Sequence, residues 1–97
     1  MKATIEIIGG VLDGNETIIS KSSFIGRDKT CDVFIPADTY LSKKHALLRL
    51  GNEGYVLEDL DSTNGTYING EPVHKPVLLM NGQLFKVGQT LLKINYG

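Results

Sequence analysis

Four side chains from separate parts of the sequence could together bind a phosphate group and the peptide that bears it. Arg27 carries a planar, permanently charged guanidinium group whose N–H donors match the oxygen atoms of a phosphate. Ser42 offers a hydroxyl group, and the neighbouring Lys43 offers an ammonium group. The side-chain amide of Asn64 can both donate to and accept from the backbone of an extended peptide. This combination of donors suits a phosphopeptide site.

Each of these residues also has an ordinary structural explanation. An arginine at the end of a predicted strand, such as Arg27, often points into water. A loop serine such as Ser42 often caps a helix or a turn, and Asn64 followed by Gly65 is a common turn sequence. The phosphate hypothesis therefore depends on the residues occurring together, because none of them alone distinguishes a binding site from a structured loop.

His45 raises two further hypotheses, a metal site and a hydrolase that uses Ser42 as its nucleophile. A metal site needs several ligands, and the sequence offers only His74 and scattered carboxylates beside it. A hydrolase needs an oriented base and an oxyanion hole, and the Gly-x-Ser-x-Gly pattern of a nucleophile elbow is absent. We therefore expect no metal, no cofactor and no catalytic residue, and a small hydrolase is the third hypothesis for the function.

The composition is that of one ordinary globular domain, which we assign to residues 1–97. A chain of 97 residues can bury one core, and 41% apolar with 22% charged residues argues against a disordered chain. The formal net charge of −1, from 10 basic and 11 acidic side chains, provides no field for binding DNA. We therefore expect no nucleic-acid partner.

The sequence also lacks the features of a membrane or secreted protein. No apolar run approaches the roughly 18 residues of a membrane span, and Thr4 and Glu6 interrupt the apolar stretch near the amino terminus. Cys31 is the only cysteine, which excludes a disulfide within the chain. These observations predict a cytoplasmic protein that does not insert into a membrane.

The elements that must position the candidate residues are predicted to be strands. Short runs of β-branched and aromatic residues recur between turn sequences, and no long segment keeps helical periodicity. Strands are predicted near residues 3–7, 16–20, 23–26, 32–35, 55–59, 66–68, 83–87 and 90–95. Turns containing Asn and Gly separate them at 51–54, 69–70 and 81–82, because these residues tolerate the positive φ of tight hairpins. This pattern predicts an all-β sandwich or barrel.

The segment 42–50 is ambiguous between a helix and a strand. Ser42 could cap a helix, and the alanine and leucines that follow are good helix formers. An alternation is also present, with Ala46, Leu48 and Leu50 on one face. Propensity and alternation disagree here, so the residues alone leave both structures open.

The order of the motifs resembles that of the forkhead-associated domain, a β-sandwich family that reads phosphothreonine. The motifs are Gly26-Arg27, then Ser42-Lys43-Lys44-His45, then Asp61-Ser62-Thr63-Asn64-Gly65-Thr66, then Asn69-Gly70. The resemblance extends from about Ile18 to Ile94. It implies a two-sheet β-sandwich of many short, mainly antiparallel strands with binding loops at one end, and it favours a strand that begins near His45.

The resemblance also implies a role for each site residue. Arg27, the Ser42 hydroxyl, Lys43 and the Thr63 hydroxyl would bind the phosphate, and Asn64 would bind the peptide backbone. Many members of the family carry Arg where this chain has Lys43, so the chain offers a point charge in place of a planar fork. The residues expected to support the binding loops are Gly26, His45, Gly65, Asn69 and Gly70.

The expected function is that of a non-catalytic module that binds phosphothreonine peptides from partner proteins of a Ser/Thr kinase pathway. The binding surface would be formed by the region after Arg27 and by residues 36–44 and 60–66, and the loop at 87–90 could read flanking residues. We expect the isolated domain to be a monomer. The alternative is a forkhead-associated sandwich that docks a protein partner, or its own chain, without needing phosphate.

Overall fold

Alternation of apolar and polar residues orients the first strand of the protein. In β1 (Ala3–Ile8), Ala3 and Ile5 are buried, whereas Thr4 and Glu6 remain partly exposed. The computed structural model describes residues 1–97 and contains eleven strands. The others are β2 (Glu16–Ile19), β3 (Ser23–Gly26), β4 (Val33–Phe34), β5 (Ala46–Leu50), β6 (Tyr55–Asp59), β7 (Thr66–Ile68), β8 (Glu71–Pro72), β9 (Val77–Leu78), β10 (Leu84–Val87) and β11 (Thr90–Tyr96).

The strands form two sheets that pack against each other as a β-sandwich, which confirms the predicted fold class. The first sheet has six strands in the order β2-β1-β11-β10-β7-β8, and the second has five in the order β4-β3-β5-β6-β9. Neighbouring strands pair antiparallel except for the short β3–β4 pair, which is parallel. No helix in the structure is long and apolar enough to cross a membrane.

One apolar core lies between the two sheets. Phe85 and Leu92 reach it from the six-stranded sheet, and Ile25, Leu48 and Leu57 reach it from the five-stranded sheet. All five are buried, and each such side chain stabilises the fold by about 1.5–3 kcal/mol relative to exposure. The core therefore holds the strand ends, and with them the loops, in fixed positions.

The ambiguous segment 42–50 contains a strand, as the resemblance implied. It forms β5, which pairs with β3 on one side and with β6 on the other. Ala46 and Leu48 point into the core. A helix would leave β3 and β6 without their shared partner, so tertiary pairing overrides helix propensity here.

The predicted strand boundaries agree with the structure to within a residue or two, and two short strands were not predicted. These are β8 and β9, each only two residues long. Two residues are too few for an alternation to be visible. The predicted turn at Asn69 and Gly70 does join β7 to β8, with φ of 52° and 79°. Such left-handed values match a primed hairpin turn.

Two stacked tyrosines close the end of the core opposite residue 45. The Tyr96 hydroxyl accepts a hydrogen bond from the Tyr55 backbone N–H at 2.8 Å and donates one to the Leu79 carbonyl at 2.9 Å. The ring centroids of Tyr55 and Tyr96 are 6.2 Å apart. The Tyr55 hydroxyl is buried without a hydrogen-bonding partner in the protein, and burial raises the pKa of this phenol.

We expect Tyr55→Phe to leave stability unchanged or to raise it by up to about 1 kcal/mol, because it removes a buried hydroxyl that has no protein partner. Tyr96→Phe is the matched comparison and should cost about 1–3 kcal/mol, since it leaves a backbone donor and a backbone acceptor unpaired. Urea unfolding of both variants measures these changes. A larger loss for Tyr55→Phe than for Tyr96→Phe would contradict this assignment.

Candidate functional site

Three loops meet at the end of the sandwich where β3 and β6 finish. They are the β3–β4 loop (residues 27–32), the β4–β5 loop (residues 35–45) and the β6–β7 loop (residues 60–65). Backbone bonds join the first two, from Arg27 N–H to Ser42 O at 3.1 Å and from Asp28 N–H to Lys43 O at 3.2 Å. The predicted phosphate-binding residues therefore belong to loops that are held side by side.

Gly26 permits the close approach of the first two loops. A Cβ atom at this position would lie 1.9 Å from the Lys43 carbonyl oxygen and 2.8 Å from the Cys31 sulfur. The Cys31 thiol donates to the same carbonyl, at 3.1 Å. Burial raises the pKa of this thiol, which keeps it protonated as a donor. Any side chain at position 26 would force the loops apart.

Arg27 is exposed and only partly engaged by the protein. Its Nε donates to the Leu41 carbonyl at 3.0 Å. The two terminal Nη atoms make no hydrogen bond or ion pair within the chain. The bond at Nε restrains the guanidinium plane, and the Nη donors remain free for an anion.

Lys43 and Lys44 lie on the β4–β5 loop and have different surroundings. The Nζ of Lys44 lies 4.9 Å from the centroid of the Phe24 ring, on the outer face of the five-stranded sheet. Lys43 is exposed and makes no ion pair. The pKa of Asp28 is lowered, first by hydrogen bonds from Thr30 and then by the charges of Lys43 and Lys44. The charges of Lys43 and Lys44 are therefore close enough to Asp28, the neighbour of Arg27, to affect its ionisation.

Ser42, Thr63 and Asn64 join the β4–β5 loop to the β6–β7 loop. The Ser42 hydroxyl oxygen accepts the Thr63 backbone N–H at 3.2 Å, which leaves its own O–H free to donate. The Asn64 side-chain N–H₂ donates to the Tyr40 carbonyl at 2.8 Å. The Asn64 oxygen and one N–H remain available for a ligand backbone. The Thr63 side chain is exposed and unbonded.

His45 is fully buried and connects the same two loops. Its Nδ1 accepts the Ser42 backbone N–H at 3.0 Å, so the ring proton must be on Nε2. Nε2 then donates to the Gly65 carbonyl at 2.8 Å. The imidazole contacts the Ser42 amide and not its hydroxyl, so the hydrolase hypothesis lacks a base oriented toward Ser42 Oγ.

Asp59 is a site-supporting residue that the sequence analysis missed. Its carboxylate accepts hydrogen bonds from the Ser62 N–H at 3.1 Å, the Ser62 hydroxyl at 2.6 Å and the Thr66 hydroxyl at 2.7 Å. The Ser62 oxygen in turn accepts the Gly65 N–H at 3.0 Å. Burial raises the pKa of Asp59, but the hydrogen bonds from Ser62 and Thr66 outweigh it and the pKa is lowered. The three-residue spacing of Asp59 and Ser62 was the available signal.

Asn69 and Gly70 lie outside the meeting point of the loops. They form the turn between β7 and β8, and β7 begins directly after the β6–β7 loop. Gly65, with φ of 85°, ends that loop, and a Cβ there would approach the Tyr67 ring at 3.0 Å. These three residues therefore shape the backbone of the loop and its hairpin and do not add donors to the site.

A two-sheet β-sandwich with an exposed arginine, hydroxyls and an amide on adjoining loops defines a loop-based binding module. The sequence model of the FHA (forkhead-associated) domain matches residues 24–88. The chain belongs to the FHA domain family, and the predicted resemblance is confirmed.

The chain is similar to two actinobacterial regulators. It is 41% identical over 64 residues to the glycogen accumulation regulator GarA of Mycobacterium tuberculosis, covering 66% of this chain and 38% of GarA. It is 38% identical over 64 residues to the oxoglutarate dehydrogenase inhibitor of Corynebacterium jeikeium, covering 66% of this chain and 43% of that protein. The chain thus spans less than half the length of these relatives.

Solved FHA domains superpose along nearly the whole chain. One structure comes from a structural and functional analysis of phosphothreonine-dependent FHA domain interactions. It matches with a TM-score of 0.87 and 28% identity, over 100% of this chain and 98% of its own. The FHA domain of FhaA, complexed with the intracellular domain of a second protein, matches with a TM-score of 0.84 and 29% identity, over 96% and 99%.

We expect His45→Ala to reduce stability by about 1–3 kcal/mol, because the Ser42 N–H and the Gly65 carbonyl lose their buried partner. His74→Ala is the control, since His74 is exposed and makes no hydrogen bond. Thermal unfolding measures both. An unchanged melting temperature for His45→Ala would contradict the structural role of His45.

We expect the stability difference between wild type and Asp59→Asn to depend on pH. The folded-state pKa of Asp59 is lowered, so the ionised carboxylate stabilises the fold above the unfolded value of about 3.9. This contribution is lost as the pH falls through the lowered folded-state pKa. Urea unfolding at neutral pH and at about pH 3 should show that the difference in unfolding free energy between wild type and Asp59→Asn is smaller at the lower pH. Asp61→Asn is the control, because Asp61 is exposed and Asn tolerates its φ of 57°.

Proposed function

We propose that this domain binds phosphothreonine within extended peptides of partner proteins, without catalysing a reaction. The observation that carries the proposal is the set of free donors on adjoining loops: the Arg27 Nη atoms, the Ser42 hydroxyl and the Asn64 amide. Family membership and the phosphothreonine-dependent FHA neighbour at 28% identity support the same function. The partners would be substrates of a Ser/Thr kinase, and binding would take place inside the cell where such kinases act.

In this proposal the phosphate binds directly to side chains and needs no metal. Arg27 forms two charge-assisted bonds through its Nη atoms, and Lys43 adds a point charge. The Ser42 and Thr63 hydroxyls donate to the remaining phosphate oxygens. Asn64 pairs with the peptide backbone beside the phosphoresidue. Gly26, His45, Gly65, Asn69 and Gly70 act only through the shape of the loops.

We further propose that residues 1–97 form a single FHA domain and that the isolated domain is a monomer. One core spans both sheets, and strands near each end of the sequence, β1 and β11, pair along their length. Because the chain spans 38% of GarA, the activity that the module controls would depend on what it is joined to or associates with.

The decisive experiment compares one peptide in three forms, with phosphothreonine, threonine or glutamate at the same position. A degenerate phosphothreonine library screened on the domain supplies the peptide. We expect only the phosphothreonine form to bind well, because glutamate carries one charge on a flat carboxylate whereas the phosphate approaches two charges above pH about 6. Affinity should fall below that pH, because the cations favour the dianion and the free phosphate must release a proton to bind.

Arg27→Ala should weaken binding of the phosphothreonine form by about 2–3 kcal/mol, roughly thirtyfold or more, with little loss of stability. Arg49→Ala is the matched control, because Arg49 is an exposed arginine paired with Glu58 on the outer face of the five-stranded sheet. Calorimetry measures both. Equal binding of all three peptide forms would favour phosphate-independent docking, and turnover of the phosphopeptide would favour a hydrolase.

A further inference from the structure

Residues 40–42 are a common attachment point for the ligand-binding side chains. Arg27 bonds to the carbonyl of Leu41, Asn64 bonds to the carbonyl of Tyr40, and the Thr63 amide bonds to the hydroxyl of Ser42. The segment belongs to no strand. The Arg27 N–H and the His45 ring hold the backbone of Ser42, and the Leu41 side chain is buried in the core. The start of the segment, at Tyr40, needs a further restraint.

Asp38 supplies this restraint at the start of the segment. Its side chain is buried, with 8% exposed, and Oδ1 accepts the Tyr40 N–H at 2.9 Å. Its backbone carbonyl accepts the Leu41 N–H at 3.2 Å. Asp38 thus restrains both Leu41, to which the Arg27 side chain is bonded, and Tyr40, to which the Asn64 side chain is bonded.

The second oxygen of Asp38 bonds to the opposite sheet. Oδ2 accepts the Gln89 N–H at 2.8 Å and the Thr90 hydroxyl at 2.6 Å, in the turn between β10 and β11. The turn is packed directly against the carboxylate. A Cβ at Gly88 would lie 2.7 Å from Oδ2 and 3.0 Å from Oδ1. The β10–β11 turn therefore acts as a fixed support for Asp38.

We propose that Asp38 is a positioning residue for phosphopeptide binding, which fixes residues 40–42 against the β10–β11 turn and thereby aligns Arg27 and Asn64. Asp38 has three donors directed at its two oxygens, and an amide in its place would offer only one acceptor oxygen. Asp38 is buried and both of its carboxylate oxygens are bonded to protein donors, so its effect on affinity would pass through the loop. This inference rests on the proposed phosphothreonine binding.

The first test is Asp38→Asn, with the tightest-binding phosphothreonine peptide from the library as the probe. Binding is measured at a temperature where unfolding curves show wild type and variant to be fully folded. We expect affinity to fall about tenfold, as the Asn side chain cannot keep all three bonds and the loop loses its alignment. Asn81→Ala is the control. It removes a side-chain acceptor for a backbone N–H, that of Tyr96, at the opposite end of the sandwich, and should leave affinity unchanged.

A second test displaces the carboxylate without altering it. Gly88→Ala places a methyl group against Asp38 from the β10–β11 turn, whereas Gly82→Ala meets no atom within 4 Å. Both glycines have positive φ, of 57° and 81°, so an alanine at either position is strained. We expect Gly88→Ala to weaken binding several-fold and Gly82→Ala to leave it unchanged. This pair keeps the test valid even if Asp38→Asn fails to fold.

A third measurement needs no peptide. In NMR spectra, the Arg27 Nε–H and the Tyr40 amide should exchange faster with solvent in Asp38→Asn and Gly88→Ala than in wild type or Gly82→Ala. Unchanged exchange and unchanged affinity in the folded variants would overturn the positioning role. If wild type binds no phosphothreonine peptide at all, the proposed function fails, and faster exchange would still support Asp38 as the residue that positions the loop.

Discussion

A single buried imidazole connects the two loops on which the binding surface depends. His45 has no exposed surface, and both of its nitrogens bond to backbone groups, the Ser42 N–H and the Gly65 carbonyl. The first bond sets the tautomer, and the tautomer makes the second bond possible. Because Ser42 and Gly65 flank the proposed ligand groups on separate loops, His45 fixes the spacing between them. His45 is the side chain that most suggested catalysis, but both of its ring nitrogens are used in hydrogen bonds within the fold.

The carboxylates of Asp59 and Asp38 hold the loops in place by hydrogen bonds, as backbone hydrogen bonds hold the strands. Asp59 accepts three hydrogen bonds within the β6–β7 region, and Asp38 accepts three that join the β4–β5 loop to the β10–β11 turn. Charged acceptors form stronger hydrogen bonds than neutral ones, so a few of them can order a segment that has no strand partner. The loops are therefore irregular, which leaves their donors exposed, but they are already ordered. Less conformational entropy is then lost when a ligand binds.

The sequence predicts the longer strands and the candidate ligand residues, but it does not predict all of the residues that support them. Alternation identified the longer strands, and ordered motifs brought Arg27, Ser42 and Asn64 together. The strand β5 needed the resemblance, because its alanine and leucines favour a helix until β3 and β6 pair with it. Asp38 bonds to Gln89 and Thr90, which are 51 and 52 positions away in the sequence, and no local pattern predicts such a contact. Asp59 was within reach, since its partner Ser62 is three residues away.

Lys43 is held in the fold through its main chain and not through its side chain. Its backbone carbonyl is fixed by the Asp28 N–H and the Cys31 thiol, and it lies against Gly26. Its side chain, in contrast, is exposed and unpaired. The position is therefore constrained through its main chain, and exchanging the side chain costs the fold little. A lysine keeps the positive charge and lacks the planar fork, so in the proposed site the planar fork comes from Arg27, whose guanidinium plane is restrained by the Leu41 carbonyl.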